Sequence, residues 1–122
     1  YFALGLHRKF QEAGLSIMSL LAHPGLSRTN LQVETVKQGG GGFAGDISEK
    51  LVMRVGMSPE VGALSQIRAA LDPNAKSGEF YAPRFLATGA PVTRPFLRPL
   101  AGRAIKKLWE ISEKLTGVKY NF

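Results

Sequence analysis

The chain has 122 residues, 44% of them hydrophobic, a net charge of +7 and no cysteine. This length fits one domain, and the composition excludes disulfides, cysteine nucleophiles and cysteine-ligated zinc. No apolar run approaches the ~20 residues that a membrane-spanning helix needs, and the first residues lack the pattern of a signal peptide. We therefore expect a cytoplasmic protein without a membrane span.

The positive charge could attract nucleic acid or anionic lipid. Along the last predicted helix, however, lysines alternate with glutamates, as on a solvated helix face: Lys106, Lys107, Glu110, Glu113 and Lys114. Nucleic-acid modules also usually place exposed aromatic side chains along a basic groove, and this pattern is not evident in the sequence. We therefore expect no nucleic-acid partner.

The first part of the chain has the pattern of an α/β protein. Apolar side chains recur at helical spacing over residues 2–13, and Gly14 is placed to end the helix. Residues 15–22 are almost continuously apolar, which predicts a strand buried on both faces of a parallel sheet. "HPGLSRTN" then follows as a loop. Helix, glycine, buried strand and loop in this order indicate the α/β class.

The stretch "KQGGGGFAGD" contains G-x-G-x-x-G at Gly40, Gly42 and Gly45, the fingerprint of a dinucleotide-binding turn. Such a turn follows a buried strand and opens a helix with free amides. The preceding "LQVETV" is too polar for a central strand, and Asp46 places a carboxylate where the pyrophosphate would lie. We therefore interpret this stretch as a mobile hinge.

Two further helices and a short strand are predicted after the glycines, besides a helix over residues 46–56. The clearest helix covers residues 58–71, with Ser58 as cap, Pro59 in the first turn and Glu60 near the positive helix end. Its expected core stripe is Val61, Leu64, Ile67, Ala70 and Leu71. "EFYAP" predicts a short strand, followed by a proline-punctuated stretch. The last helix runs from about residue 100 to 115 and ends at Gly117, with an expected inward stripe of Ala104, Ile105, Leu108, Ile111 and Leu115.

The loop "PGLSRTN" is the first candidate site. Ligands of open α/β sheets lie beyond the carboxyl ends of the strands, and Gly25 would let backbone approach a ligand closely. The amides after this turn and the Thr29 hydroxyl could bind a carboxamide or a phosphate; an ordinary strand-exit turn is the alternative. A nucleophile elbow also has a similar pattern, but Thr29 replaces its second glycine, and both His7 and His23 precede Ser27. We therefore do not expect a hydrolase.

The remaining candidates have structural explanations. His23 is expected to be hydrogen-bonded at a strand end, and the two histidines have no carboxylate at metal-site spacing, so no metal is predicted. Trp109 is expected to pack in a helix interface. Met53 and Met57 share one helical face and could belong to the core or line a pocket.

Three segments in this order resemble the C-terminal half of a short-chain dehydrogenase/reductase of the retinol-dehydrogenase-like branch: "AHPGLSRTNL", "SPEVGALSQIRAALDPNAKSGEFYAP" and "LWEISEKLTGV". The resemblance covers essentially the whole chain. It implies an α/β fold, the C-terminal part of a Rossmann-type doubly wound parallel sheet, with the N-terminal nucleotide-binding half missing. It also implies hydride transfer between NAD or NADP and an alcohol or carbonyl substrate. The cofactor-binding residues that it implies are Pro24, Gly25, Leu26, Ser27 and Thr29.

The same resemblance implies that residues 31–57 form a substrate lid, with Leu31, Met53 and Met57 as substrate-binding residues. The family's catalytic Tyr-x-x-x-Lys pair is absent from these 122 residues, so the segment by itself is expected to be inactive. Relatives often pair through the helix that begins this chain, which implies a homodimer or homotetramer. A non-catalytic binding or interaction module derived from the same fold is the alternative.

Overall fold

A computed structural model describes residues 1–28, 54–95 and 101–120. Its helices are α1 (Phe2–Glu12), α2 (Pro59–Leu71) and α3 (Ala101–Thr116). Its strands are β1 (Leu21–Ala22), β2 (Phe80–Pro83) and β3 (Pro91–Arg94), and they form one sheet in the order β1-β2-β3. The predicted α/β class is therefore confirmed for the described residues.

β1 and β2 are parallel strands. The Leu21 amide donates to the Glu79 carbonyl and the His23 amide donates to the Tyr81 carbonyl, both at 2.9 Å. Donors and acceptors advance together by two residues, which is the pattern of a parallel pair. Because the connection between these strands contains α2, the three elements form a strand–helix–strand unit.

β3 returns antiparallel to β2 through a short turn. The Arg84 amide donates to the Ala90 carbonyl at 2.9 Å, which closes the hairpin. The described sheet is therefore small and mixed, with one parallel and one antiparallel pair. The strand predicted from "EFYAP" is confirmed as β2, whereas β3 lies in the proline-punctuated stretch, in which no strand was predicted.

The apolar run over residues 15–22 does not form the predicted long buried strand. Only its last two residues are in β1, and Ile17 and Met18 are 52% and 56% exposed. The prediction of a strand buried on both faces is therefore wrong for the described residues. An apolar run is buried only where other elements cover it, and within the described part of the chain β1 is an edge strand that pairs with β2 alone.

The chain divides into two compact units. Unit 1 comprises Tyr1–Leu21, Asp72–Phe80 and Arg94–Phe122, and unit 2 comprises Ala22–Leu71 and Tyr81–Thr93. α1 and α3 belong to unit 1, and α2 belongs to unit 2.

The packing of α1 against α3 in unit 1 is centred on Trp109. A Cβ atom on Gly5 would lie 2.9 Å from Trp109 Cε3, so the helices approach closely at that glycine. Phe2 stacks on the indole with ring centroids 4.8 Å apart, and Tyr120 tilts against it at 5.5 Å. The indole nitrogen donates to Glu113 Oε1 at 2.8 Å. The prediction that Trp109 is a packing residue is confirmed.

The predicted apolar stripe of α2 does not face the core of unit 2. Its four large members are between 40% and 74% exposed: Val61, Leu64, Ile67 and Leu71. The helix instead buries a face of small residues, Gly62, Ser65 and Ala69. The predicted core stripe is therefore wrong within the described residues, because unit 2 packs α2 so closely that a Cβ atom on Gly62 would overlap Ser27 Oγ.

α3 matches its predicted inward stripe only in part. Ile105 is buried, together with Trp109, whereas three predicted core residues are exposed: Leu108, Ile111 and Leu115. The helix ends are as predicted, since Gly14 and Gly117 follow α1 and α3 with positive φ angles.

Candidate functional site

The loop after β1 turns at Gly25, as the sequence predicts. Gly25 has φ +71°, a value that residues with a side chain rarely adopt. A Cβ atom there would lie 2.5 Å from the Ala87 carbonyl oxygen and 2.6 Å from Pro83 Cγ. Glycine is therefore required both by the backbone conformation and by the close approach of the β2–β3 hairpin.

Backbone hydrogen bonds hold the loop on two sides. The Leu26 amide donates to the Ala87 carbonyl at 2.7 Å, and the Leu26 carbonyl accepts from the Met57 amide at 2.8 Å. The Arg28 amide donates to the Met57 carbonyl at 2.9 Å, which makes a parallel bridge between Ser27 and Met57. The loop is therefore a rigid part of unit 2.

Ser27 provides the one uncommitted backbone donor of this turn. The amides of Gly25, Leu26 and Arg28 all donate within the protein, whereas the Ser27 amide has no acceptor among the described residues. Ser27 is only 7% exposed, and its hydroxyl donates to the Pro24 carbonyl at 3.2 Å. Because main-chain N–H groups are normally paired in a folded protein, the Ser27 N–H is a candidate donor to a ligand.

His23 is hydrogen-bonded at the strand end, as the sequence predicts. Its Nδ1 accepts from the Gly25 amide at 2.8 Å, so the neutral ring carries its proton on Nε2. The Ser27 hydroxyl donates to a carbonyl rather than to this imidazole. The turn therefore does not form the nucleophile–base pair of a hydrolase.

The structure brings Met57 to the candidate site, beside the Pro24–Ser27 part of the loop. Besides the backbone bridge, its sulfur accepts from the Gly89 amide at 3.2 Å, which places the half-buried thioether against the β2–β3 hairpin. The other predicted site residues, Thr29, Leu31 and Met53, lie outside the described residues. The glycine-rich stretch does so too, and only residues 54–57 of the predicted lid are described.

The β2–β3 hairpin is the part of the site that sequence reasoning missed. Its Ala87 carbonyl accepts from the Leu26 amide, and its turn is closed by the Phe85 amide donating to the Thr88 carbonyl at 3.0 Å. Leu86 has φ +69°, a conformation in which turns usually place glycine. The sequence feature that could have indicated this turn is Thr88-Gly89, which lies between Pro83 and Pro91.

The electrostatics of unit 2 favour anions. Its described residues carry four arginines, Arg28, Arg54, Arg68 and Arg84, against Glu60 as the single acidic residue. A hydrogen bond from the Ser58 hydroxyl, followed by one from its own backbone amide, holds the pKa of Glu60 below its usual value. Ser58 also accepts from the Val61 amide at 3.4 Å, which confirms its predicted role as the α2 cap.

The described residues contain no cluster of three His, Cys, Asp or Glu side chains that could hold a metal ion. In the same part of the chain, no helix has both the length and the apolar character required to cross a membrane. The sequence had likewise predicted no membrane-spanning helix.

Comparisons with known proteins give one structural likeness. Neither a protein-family model nor a curated protein matches the chain. A solved structure of an uncharacterized protein from Mycobacterium paratuberculosis is similar, with 27% sequence identity and a TM-score of 0.65. The match covers 99% of this chain and 36% of that protein. The chain therefore spans little more than a third of the length of that similar structure.

Proposed function

We propose that this chain supplies the nicotinamide-contacting loop and the substrate lid of an NAD(P)-dependent oxidoreductase of the short-chain dehydrogenase/reductase type. The observation that carries the proposal is the Ser27 amide, which has no acceptor among the described residues and lies in a hydrogen-bonded turn after a parallel strand. Ligands of open α/β sheets lie at such ends. The substrate would be an alcohol or a carbonyl compound, as the sequence resemblance implies.

The residues present fit the carboxamide group of a nicotinamide. Its oxygen can accept a hydrogen bond, which the Ser27 amide can donate. The space beside Gly25 is taken by the β2–β3 hairpin, so the role of this glycine is to shape the turn. Nicotinamide supplies the hydride chemistry when bound; the role of this loop is to hold the carboxamide and thereby fix which ring face meets the substrate. The chain contains no Tyr-x-x-x-Lys pair, so proton transfer to the reacting oxygen is assigned to residues outside these 122.

Exposed apolar surface supports the proposal that further polypeptide completes the fold. In unit 2, the outer stripe of α2 is exposed, and in unit 1, Ile17 and Met18 are exposed just before the edge strand β1. A Rossmann-type sheet would give β1 a second strand neighbour and cover α2 on its outer face. The greater length of the similar solved structure agrees with this arrangement.

The proposal is tested on the complete protein that contains this chain. Ser27→Pro removes the amide donor, whereas Ser27→Ala keeps it and removes only the hydroxyl. Binding of NADH, NADPH and ADP-ribose is measured by calorimetry, because ADP-ribose lacks the nicotinamide. One hydrogen bond contributes ~0.5–1.5 kcal/mol, so Ser27→Pro should weaken binding of the preferred dinucleotide about 3- to 10-fold and leave ADP-ribose binding unchanged.

Three results would contradict parts of the proposal. Failure of the native protein to bind either dinucleotide refutes the oxidoreductase assignment. If Ser27→Pro weakens binding of the dinucleotide and of ADP-ribose equally, the Ser27 amide does not belong to the nicotinamide site. If Thr29→Ala leaves the kinetics unchanged, the Thr29 hydroxyl does not belong to it. Dinucleotide binding without turnover of any alcohol or carbonyl substrate would instead favour the non-catalytic binding module.

Pairing of two or four copies through α1 stays a prediction. The face of α1 that carries Gly5 is already covered by Trp109 of the same chain. A dimer or tetramer would therefore use another face of this helix, and light scattering on the complete protein measures its oligomeric state.

A further inference from the structure

Unit 1 has an open cleft of approximately 550 Å³ that belongs to none of the residues assigned above to cofactor or substrate. Its polar lining comes from α1, from the segment before β2 and from β3. The residues that carry its chemistry are His7, Arg8, Ser77, Glu79 and Arg94.

The side chains of His7 and Ser77 are fixed at the wall of this cleft. His7 Nδ1 and Ser77 Oγ are 2.9 Å apart, and the same hydroxyl oxygen accepts from the Ser19 amide at 3.0 Å. Ser19 is buried, and its own hydroxyl donates to the Ala3 carbonyl at 2.8 Å. A Cβ atom on Gly78 would lie 3.0 Å from His7 Nε2, so the imidazole edge is held against that glycine.

The protonation state of His7 decides whether the Ser77 hydroxyl can donate to a ligand. One lone pair of Ser77 Oγ is used by the Ser19 amide. When His7 is neutral with its proton on Nε2, Nδ1 takes the hydroxyl hydrogen of Ser77. When His7 is protonated, Nδ1–H donates to the second lone pair, and the Ser77 hydrogen is released. Protonation of His7 therefore adds a positive charge and a free hydroxyl donor together.

The cleft is also lined by guanidinium groups. Arg8 is exposed and makes no ion pair or hydrogen bond with any described residue, and Arg94 lies on the opposite element, β3. The acidic side chain in the lining is Glu79, whose Oε2 accepts from the Lys76 amide at 2.9 Å. Guanidinium forks match the geometry of phosphate and carboxylate oxygens.

We propose that this cleft binds the phosphate group of a phosphorylated small molecule, with Arg8 and the His7–Ser77 pair as its donors. Two arginines against one glutamate give the lining a charge of +1, which rises to +2 when His7 is protonated. A positive lining attracts a phosphate dianion more strongly than a carboxylate monoanion, because the Coulomb energy grows with the charge of the ligand. The proposal does not depend on the oxidoreductase function.

The test uses the complete protein and small probes of stated charge. Binding of phenyl phosphate and benzoate is measured by calorimetry, and amide chemical shifts of Ser77 and Gly78 locate the bound probe. We expect phenyl phosphate to bind at least tenfold more tightly than benzoate.

Variants separate the site from general charge. Arg8→Ala should weaken phenyl phosphate binding at least tenfold, whereas Lys107→Ala removes the same charge from the exposed side of α3 outside the cleft and should have no effect. Ser77→Ala removes the hydroxyl of the His7–Ser77 pair and should also weaken phenyl phosphate binding. Equal effects of Arg8→Ala and Lys107→Ala, equal affinity for benzoate, or shifts that exclude Ser77 and Gly78 would overturn the proposal. Thermal unfolding of each variant confirms that the fold is intact.

Discussion

Gly5→Ala should loosen the packing of α1 against α3. The added Cβ atom would lie 2.9 Å from Trp109 Cε3, 3.2 Å from Cζ3 and 3.3 Å from Ile105 Cγ2. The indole cannot turn aside freely, because it stacks on Phe2 and donates to Glu113. The substitution therefore overfills a contact whose surroundings are fixed.

The expected magnitude is a difference between two opposing effects. Overfilling a packed interface costs ~1–3 kcal/mol, while replacing glycine by alanine inside a helix stabilises it by ~1 kcal/mol. The net expectation is a loss of about 1 kcal/mol in the free energy of unfolding. This corresponds to a decrease in Tm of a few degrees.

Gly102→Ala is the matched control. It makes the same chemical change in α3, but the nearest atom to its Cβ is Arg8 Nη1 at an ordinary 3.6 Å. This variant should be as stable as the native protein or up to ~1 kcal/mol more stable. Denaturant unfolding of both variants gives the comparison. Trp109 is the single tryptophan of this chain, so fluorescence changes in the 122-residue chain report on the contact itself.

The packing argument would be refuted if Gly5→Ala were as stable as Gly102→Ala and its Trp109 emission were unchanged. Lower stability with unchanged emission would place the effect elsewhere in unit 1. A red-shifted emission together with the lower Tm is the result that the contact distances predict.

Three further changes test other parts of the structure. Ser58→Ala should raise the pKa of Glu60 in an NMR titration, because the Ser58 hydroxyl is the main cause of its lowered value. The stability that comes from this lowered pKa is present above the unfolded-state pKa and is lost as pH falls through the folded-state pKa. The part of the variant's stability loss that is linked to Glu60 should therefore vanish at low pH. Gly62→Ala should destabilise unit 2 by overlap with Ser27, and Ser27→Gly should relieve part of the loss, which a double-mutant cycle measures; additive effects would contradict the contact. Leu64→Glu in the complete protein should cost ~2 kcal/mol or more if further polypeptide covers the outer face of α2, and a neutral effect would show that this face is solvated.

Features that depend on short-range chemistry could be predicted from the sequence. Ser58 caps α2 because its hydroxyl accepts from an amide three residues away. Gly14 and Gly117 follow helices because positive φ angles favour glycine there. Gly25 belongs to this group too, since the sharp turn after a strand was evident from the Pro-Gly pair.

Features that depend on what packs against an element could not be predicted. The large apolar residues of α2, such as Leu64 and Leu71, had indicated the inward face, yet the helix buries Gly62 and Ser65. Helical spacing defines an apolar face without stating which surface covers it. β3 was not predicted, because prolines punctuate its segment and because Leu86 takes a turn position in which glycine is usual.

The sequence by itself determined the helix ends, the turn at Gly25 and the α/β class, since each follows from local backbone preferences and periodicity. Only the tertiary structure decided that, among the described amides of its loop, the one of Ser27 has no acceptor within residues 1–28, 54–95 and 101–120. That outcome depends on the acceptors that His23, Ala87 and Met57 bring to the neighbouring amides. Two of these acceptors, Ala87 and Met57, are far from the loop in the sequence, so only the fold determines which amides of the loop are paired.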